Sequence, residues 1–306
     1  MYAQELEANR AAFVATRVSA ATRHRYTTAW QAYLRFCTTE NLAPVSVDAA
    51  VLYTMHLATR TSRSWAGISN DITGLAHFLP ASVLNDPEFS DARRAARRCT
   101  AERGVARKRP ITPQLLQALR TVIRQSAGSP FLELRDWSAF LLGFLGLFRV
   151  SELVSFRWTD LHWTAHGLRV HVRSSKTDQF FQGTTVFVTG HHEAALDIRT
   201  LLTLLRQASP ASEFVFTTVT GGPLAPDTLR SRLKQYLRGC LPANEIEFYS
   251  MHSLRRGGAT AMAQRQVPLR IIQQHGRWKS DAVRVYIEAD LSETSAGSLV
   301  LSSLLL

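Results

Sequence analysis

Apolar positions recur at helical spacing through the first quarter of the chain. Tyr26, Trp30, Tyr33, Leu34 and Cys37 fall at i, i+4, i+7, i+8 and i+11, one face of an amphipathic helix. Arg23, His24, Arg25 and Arg35 fall largely off that stripe. Residues 47–60 and 67–78 repeat the pattern, so residues 20–79 read as a small helical bundle with basic edges. The pattern breaks at residues 93–109, RRAARRCTAERGVARKR, where eight basic residues surround one acid, Glu102. A run this charged reads as a solvated linker rather than core. Structure restarts at Thr112-Pro113, an N-cap followed by a proline at the first helical position. Residues 113–125 and 134–148 read as helices. Within 167–189, LRVHVRSS alternates and TTVFV is β-branched and aromatic, so these read as strands joined by the turn KTDQFFQG. Helical patterning returns from residue 196 onward.

The expected fold is therefore mainly α with a small β-sheet. A helical N-terminal domain covers residues 1–92, a basic linker 93–111, and an α+β domain 112–306, which ends in an apolar tail. A length of 306 residues agrees with two domains, since single cores seldom grow past about 250–300 residues.

Charge changes the picture more than composition does. Lys and Arg total 36 against 24 for Asp and Glu, a formal charge of +12, which points to a polyanionic partner and first to nucleic acid. On that reading the linker follows phosphates, where each neutralised phosphate releases counterions. Arg23, Arg25, Arg63, Arg97, Arg98, Arg107, Lys108 and Arg109 are the candidate DNA-binding residues. The three cysteines are far apart and form no CxxC pair, which argues against a zinc ribbon or a disulfide framework and fits a reducing, intracellular compartment. The N-terminus, MYAQELEANRAAF, lacks the apolar core of a secretion signal. The longest nearly apolar run, 137–148, is too short to span a bilayer, so no membrane partner is expected.

Four segments carry candidate chemistry. In GLFRVSELVSFRWTDL, Arg149 sits between two helices, the second of which Ser151 can cap, and Glu152 can steady the arginine. In SSKTD, Lys176 lies near a hairpin tip. In MHSLRRGGATAMA, His252 and Arg255 share a helix face. Arg256 points elsewhere and reads as surface. Gly257 and Gly258 cost the helix about 1 kcal/mol each, which implies close packing against a neighbour. In QQHGRWKSDAVRVYIEADLSET, Trp278 and Tyr286 lie eight apart. Taken singly, each has a structural explanation: an Arg–Glu pair, a solvated lysine, a core tyrosine. Together they differ. Two arginines and a lysine can neutralise a phosphodiester, a histidine can assist proton transfer, and a tyrosine can attack. No phosphate-binding GxxxxGK[ST] loop is present. His162, His166 and His171 straddle a turn, and His191-His192-Glu193 is not HExxH, so neither a metal nor a cofactor is expected.

The ordered set Arg149, Glu152, Lys176, His252, Arg255, Trp278, Tyr286 resembles the tyrosine recombinase, or phage integrase, family over roughly residues 110–295. Trp278 in place of a histidine and the YIEADLSET terminus are similar to the Cre branch of that family. The Trp-to-Tyr spacing is one residue shorter than expected there, and His275 is the alternative to Trp278. The resemblance implies a core-binding domain and a catalytic domain forming a clamp around double-stranded DNA with specific recombination sites. It implies that Tyr286 forms a 3′-phosphotyrosine, and that Arg149, Arg255 and Trp278 bind the phosphate. Lys176 would protonate the leaving 5′ oxygen. His252 would assist at the nucleophile, and Glu152 would orient its neighbours. It further implies a homotetramer on two sites, assembled through the apolar tail SAGSLVLSSLLL. A type IB topoisomerase-like enzyme and a non-catalytic DNA-binding relative are the rival readings. Tyr236 and Tyr249 are the rival nucleophiles.

Overall fold

The structure is a computed structural model that describes residues 18–103, 108–126, 128–173, 183–278 and 283. The chain divides into two compact units, Met1–Arg107 and Lys108–Leu306.

The first unit is helical: α1 (Ala20–Thr39), α2 (Val47–Thr59), α3 (Trp65–Leu75), the single turn α4 (Ala81–Leu84) and α5 (Pro87–Cys99). Side-chain oxygens of Ser19, Ser46 and Asp86 accept from the first-turn amides of α1, α2 and α5, satisfying donors that a helix leaves unpaired. Helix α1 packs on α3 and α2 on α5 around Tyr33, Tyr53, Leu57, Ile68 and Phe89. The predicted stripe of α1 does face inward. The basic run departs from expectation, because residues 93–99 continue α5 instead of starting a linker. Phe89 and Ala96, seven residues apart, are its buried positions, while Arg94, Arg97 and Arg98 face solvent. Two helical turns between anchors suffice to hold the helix on the core.

The second unit starts with a segment pinned to its own body: the Arg109 amide donates to Phe248 O (2.8 Å) and the Ile111 amide to Ser253 O (2.9 Å). Thr112 then caps α6 (Pro113–Ser126) through its hydroxyl, as expected. Helix α7 (Pro130–Leu145) forms the centre, buried without interruption from Arg135 to Gly143. It is followed by α8 (Val150–Ser155) and an antiparallel sheet, β1 (Leu161–Thr164), β2 (Gly167–Val172) and β3 (Thr184–Thr189), with β2 in the middle. Leu168, Val170, Val172, Val186 and Val188 form its buried face. Strand β1 was not read from sequence. Helices α9 (Ile198–Ala208), α10 (Pro226–Leu237), α11 (Met251–Gln264) and α12 (Leu269–Gly276) complete the unit. Both α9 and α11 pack on α7. No described helix is long and apolar enough to cross a membrane.

The glycine pair of α11 packs as its cost implied. A Cβ on Gly257 would lie 1.9 Å from Ile111 O, and one on Gly258 would lie 2.4 Å from Phe144 O. These glycines let α11 touch both the entry segment and the end of α7. Gly257→Ala should therefore destabilise the second unit by about 3 kcal/mol, the upper end of ordinary overpacking, because the obstacle is backbone. Denaturant unfolding measures this, and a loss below about 1 kcal/mol would show that α11 can slide away freely.

Candidate functional site

The end of α7 organises the site. A helix leaves its last carbonyls without internal partners, and they carry its negative dipole end. Cationic and donor side chains from two distant stretches converge on them and on the residues that follow. His275 lies 2.7 Å from Leu145 O, and because a carbonyl only accepts, the His275 Nε2 carries the proton. Arg277 Nη1 donates to Gly146 O (3.3 Å) and its Nη2 to Leu147 O (3.2 Å). Arg255 Nη1 also donates to Leu147 O, and its Nη2 to Gly276 O. Leu147 adopts a left-handed conformation (φ 50°), which costs an L-residue roughly 1 kcal/mol. Its fully buried side chain, clustered with Ala259, Ile272 and Val283, offsets that cost.

Arg149 is the residue before α8, and its cap differs from expectation. Ser151 is not the cap. Instead Glu152, one turn in, accepts the Arg149 amide on Oε2 (2.9 Å) and Arg149 Nη1 on Oε1 (2.7 Å). A third-position carboxylate that reaches back to the start of its helix satisfies an orphan donor and favours the positive dipole end. Glu152 Oε2 also takes Arg277 Nη2 at 2.7 Å. The carboxylate is thus bridged between two guanidiniums with its side chain 2% exposed. Arg277, between Gly276 and Trp278, was not among the candidates that the sequence offered. Nothing in the local pattern marks it except an arginine in the αL position that usually takes glycine (φ 58°).

Arg255 is 0% exposed, and the Trp278 ring lies over its guanidinium at 4.3 Å. Gly276 makes room for this indole, since a Cβ there would sit 1.7 Å from it. His252 lies in the first turn of α11 and is exposed, on the face that Arg255 continues inward. Arg256 is a correction. Expected at the surface, it is 8% exposed, because Gly257 and Gly258 draw that whole turn of α11 against its neighbours.

Burial pulls the Arg277 guanidinium below its ordinary value, with Glu152 opposing and Arg149 adding to the fall. An arginine starts high enough to remain charged regardless. Burial also pulls His275 down, partly opposed by its bond to Leu145 O, with Arg277 and Arg255 adding to the fall. His275 is therefore neutral and committed to a structural carbonyl, whereas Trp278 is the group lying on Arg255. The cluster holds three guanidiniums (Arg149, Arg255, Arg277) and one carboxylate (Glu152), a net charge of +2.

The rival tyrosines are placed differently. Tyr236 is fully buried and donates to Asp136 Oδ2 (2.7 Å), and burial followed by the Asp136 charge pushes its phenol up. Tyr249 is buried at the start of α11. Lys176 and Tyr286 lie outside the described residues, as do Arg107 and the apolar tail. Of the remaining basic candidates, Arg23, Arg25, Arg97 and Arg98 are exposed on the first unit. Arg63 is ion-paired to Asp71. Lys108 donates to Glu247 O, and Arg109 pairs with Glu245 and lies over the Phe248 ring.

The pattern of the phage integrase family matches residues 107–292, more than half of the chain. The chain belongs to the phage integrase family. An integrase/recombinase XerD homolog of Selenomonas ruminantium is 30% identical over 197 residues, 62% of this chain and 55% of that protein, so the match spans about half the relative's length. Tyrosine recombinase XerC of Azotobacter vinelandii is 25% identical over 253 residues, covering 79% of this chain and 75% of that one. Among solved structures, a lambda integrase dimer bound to a core site is similar with a TM-score of 0.62 and 16% identity, covering 90% of this chain and 74% of that one. The XerH site-specific recombinase in a post-cleavage complex gives 0.57 and 15%, covering 84% and 71%. At such identities these structures establish the fold alone. Lys176 and Tyr286 both fall within the family match.

Proposed function

We propose that this chain is a site-specific DNA recombinase that cuts and rejoins strands through a 3′-phosphotyrosine at Tyr286. The observation that carries the reading is the cluster that follows α7, in a chain of this family: Arg149 and Arg277 share the Glu152 carboxylate, Arg255 and Arg277 share the Leu147 carbonyl, and Trp278 lies over Arg255. Tyr286 follows the buried Val283 by three residues, a reach of roughly 10 Å. Val283 clusters with Leu147, whose carbonyl holds two of the three arginines.

The Tyr286 Oη attacks the scissile phosphorus while the bond to the 5′ oxygen breaks. Lys176 supplies the proton that turns that oxygen into a hydroxyl. A phosphodiester carries one negative charge and its pentacoordinate transition state two, which the +2 cluster complements where the charge develops. Arg149, with its side chain 14% exposed, meets the phosphate first. Arg255, held beneath the Trp278 ring, is the second guanidinium for the phosphate. His252, exposed in the first turn of α11, assists proton transfer at the tyrosine. The new P–O bond retains the energy of the old one, so the hydroxyl of a partner strand rejoins the DNA without an external energy source. Both units bind the duplex, the first through Arg23, Arg25, Arg97 and Arg98. Assembly as a tetramer on two sites through the apolar tail belongs to the same proposal. A Cre-like branch rests on Trp278 and the YIEADLSET sequence alone.

The test is to express the full chain in cells, isolate denaturation-resistant protein–DNA adducts and sequence their ends. Clustered ends, followed by strand exchange that requires two copies of that site, support the recombinase. Scattered ends with relaxation of single circles would replace it with a topoisomerase-like activity. Lys176→Ala should slow cleavage about 100- to 1000-fold on ordinary DNA, the range of general acid catalysis. It should have little effect on a substrate whose leaving 5′ oxygen is replaced by sulfur, since a thiolate needs no proton to depart. Equal losses on both substrates would remove the general-acid role.

A further inference from the structure

Arg277 has no place in the mechanism above, yet it is bound into the centre of the site. Its guanidinium is 7% exposed, bonds Glu152 at 2.7 Å, donates to the carbonyls of Gly146 and Leu147, and lies 4.9 Å from the Phe148 ring centroid. Its backbone is held in the left-handed region, which a glycine would occupy without strain. An arginine kept at such a position, so deeply buried, is placed there for its side chain.

Charge accounting shows what that side chain does. Glu152 carries one negative charge and contacts Arg149 through one oxygen and Arg277 through the other. Without Arg277, the nearest cation left to Glu152 would be Arg149, the more exposed arginine and the one facing an incoming phosphate. The cluster would fall from +2 to +1.

We propose that Arg277 is a positioning residue that neutralises Glu152 from behind, so that Arg149 keeps its charge and fork available for the scissile phosphate. The carboxylate fixes Arg149 by geometry, and Arg277 prevents the same carboxylate from cancelling it. Trp278 is set over Arg255 by the residue next to it, so the Gly276-Arg277-Trp278 box fixes both phosphate-binding arginines at once. The proposal rests on the recombinase reading for its substrate, but not for its electrostatics.

The experiment compares Arg277→Met, Arg277→Lys, and Arg277→Met combined with Glu152→Gln, all in the full chain, with thermal unfolding confirming that each folds. Single-turnover cleavage at saturating DNA should drop about 100-fold in Arg277→Met, similar to removing one donor from an oxyanion site, with DNA affinity unchanged. Arg277→Lys should recover most of the rate. The double variant restores the +2 charge and should cleave at least about 10-fold faster than Arg277→Met alone, since coupled charges are not additive. A purely packing role predicts the opposite, with the second substitution adding damage. A double variant no faster than Arg277→Met, or an Arg277→Met that cleaves like the parent, overturns the proposal. A parent that forms no adduct overturns the recombinase reading instead, and a second readout then decides. Tungstate, a doubly charged tetrahedral oxyanion, should raise the unfolding temperature of the parent, lose that effect in Arg277→Met and regain it in the double variant. Equal tungstate effects in all three would refute the charge argument independently of catalysis.

Discussion

Replacing Tyr286 with phenylalanine should eliminate covalent protein–DNA adducts while leaving DNA affinity unchanged. The substitution removes one oxygen, the atom that would bond to phosphorus. The two rival tyrosines among the described residues are both buried. Tyr236 is locked in a buried bond to Asp136, with its phenol pushed up by burial and that carboxylate. Tyr249 is buried ahead of α11. The loss should reach roughly 10⁴-fold or more in cleavage rate, the scale on which removal of a nucleophile is felt. Affinity survives because it rests on cationic contacts to phosphates, which phenylalanine leaves intact. The measurement pairs a binding titration with denaturing gels of nicked duplexes carrying the sequenced site. Adducts that persist in Tyr286→Phe would move the nucleophile elsewhere, to Tyr249 first.

The elements and the site differ in how far they could be read from residues. Helix α1 was legible because its stripe is long and aromatic. The start of α6 was legible because Thr112-Pro113 is a strong local signal and tertiary packing did not override it. Arg149, His252, Arg255 and Trp278 could be picked out as a candidate set because residue types and order carry chemistry that single positions do not, and the structure brings Arg149, Arg255 and Trp278 into one cluster. What failed was local inference where one residue decides. In α5, the eye follows the arginines, but two buried anchors, Phe89 and Ala96, fix the helix. At α8, Ser151 is the better capper by type, but Glu152 wins because one carboxylate can serve the amide and the guanidinium of Arg149 together. Arg256 was read as surface, and Arg277 was not singled out, because arginine is rarely buried unless paired. Their burial follows from glycines at 257, 258 and 276, whose packing consequences appear only in three dimensions.

A second buried ion cluster, also invisible in the sequence, makes the largest expected contribution to stability. Asp136 is 0% exposed within the buried stretch of α7. Its Oδ1 takes Arg135 Nε (2.8 Å), while its Oδ2 takes Arg232 Nε (2.7 Å) and the Tyr236 hydroxyl (2.7 Å). Arg135 also donates to Thr217 O at 3.1 Å. The four groups tie α7 to α10 and to the loop at 217, and the carboxylate is the one negative charge among them. Asp136→Ala leaves two guanidiniums and a hydroxyl without that acceptor, and Arg135 is nearly as buried as the aspartate. Breaking a buried pair from one side typically costs about 3–5 kcal/mol, because the remaining charge is left uncompensated. Over a unit of this size that corresponds to a fall of roughly 10 °C in unfolding temperature. Tyr236→Phe, which removes one hydroxyl that donates to Asp136 and accepts from Arg232 but leaves both arginines paired to the carboxylate, should cost only about 1–2 kcal/mol. Calorimetry on the full chain distinguishes the two. If Asp136→Ala costs no more than Tyr236→Phe, then water or a shifted arginine replaces the carboxylate, and the cluster does not hold α7 in place. If the expected gap appears, the helix beyond whose end Arg255, His275 and Arg277 gather is anchored near its middle by Asp136.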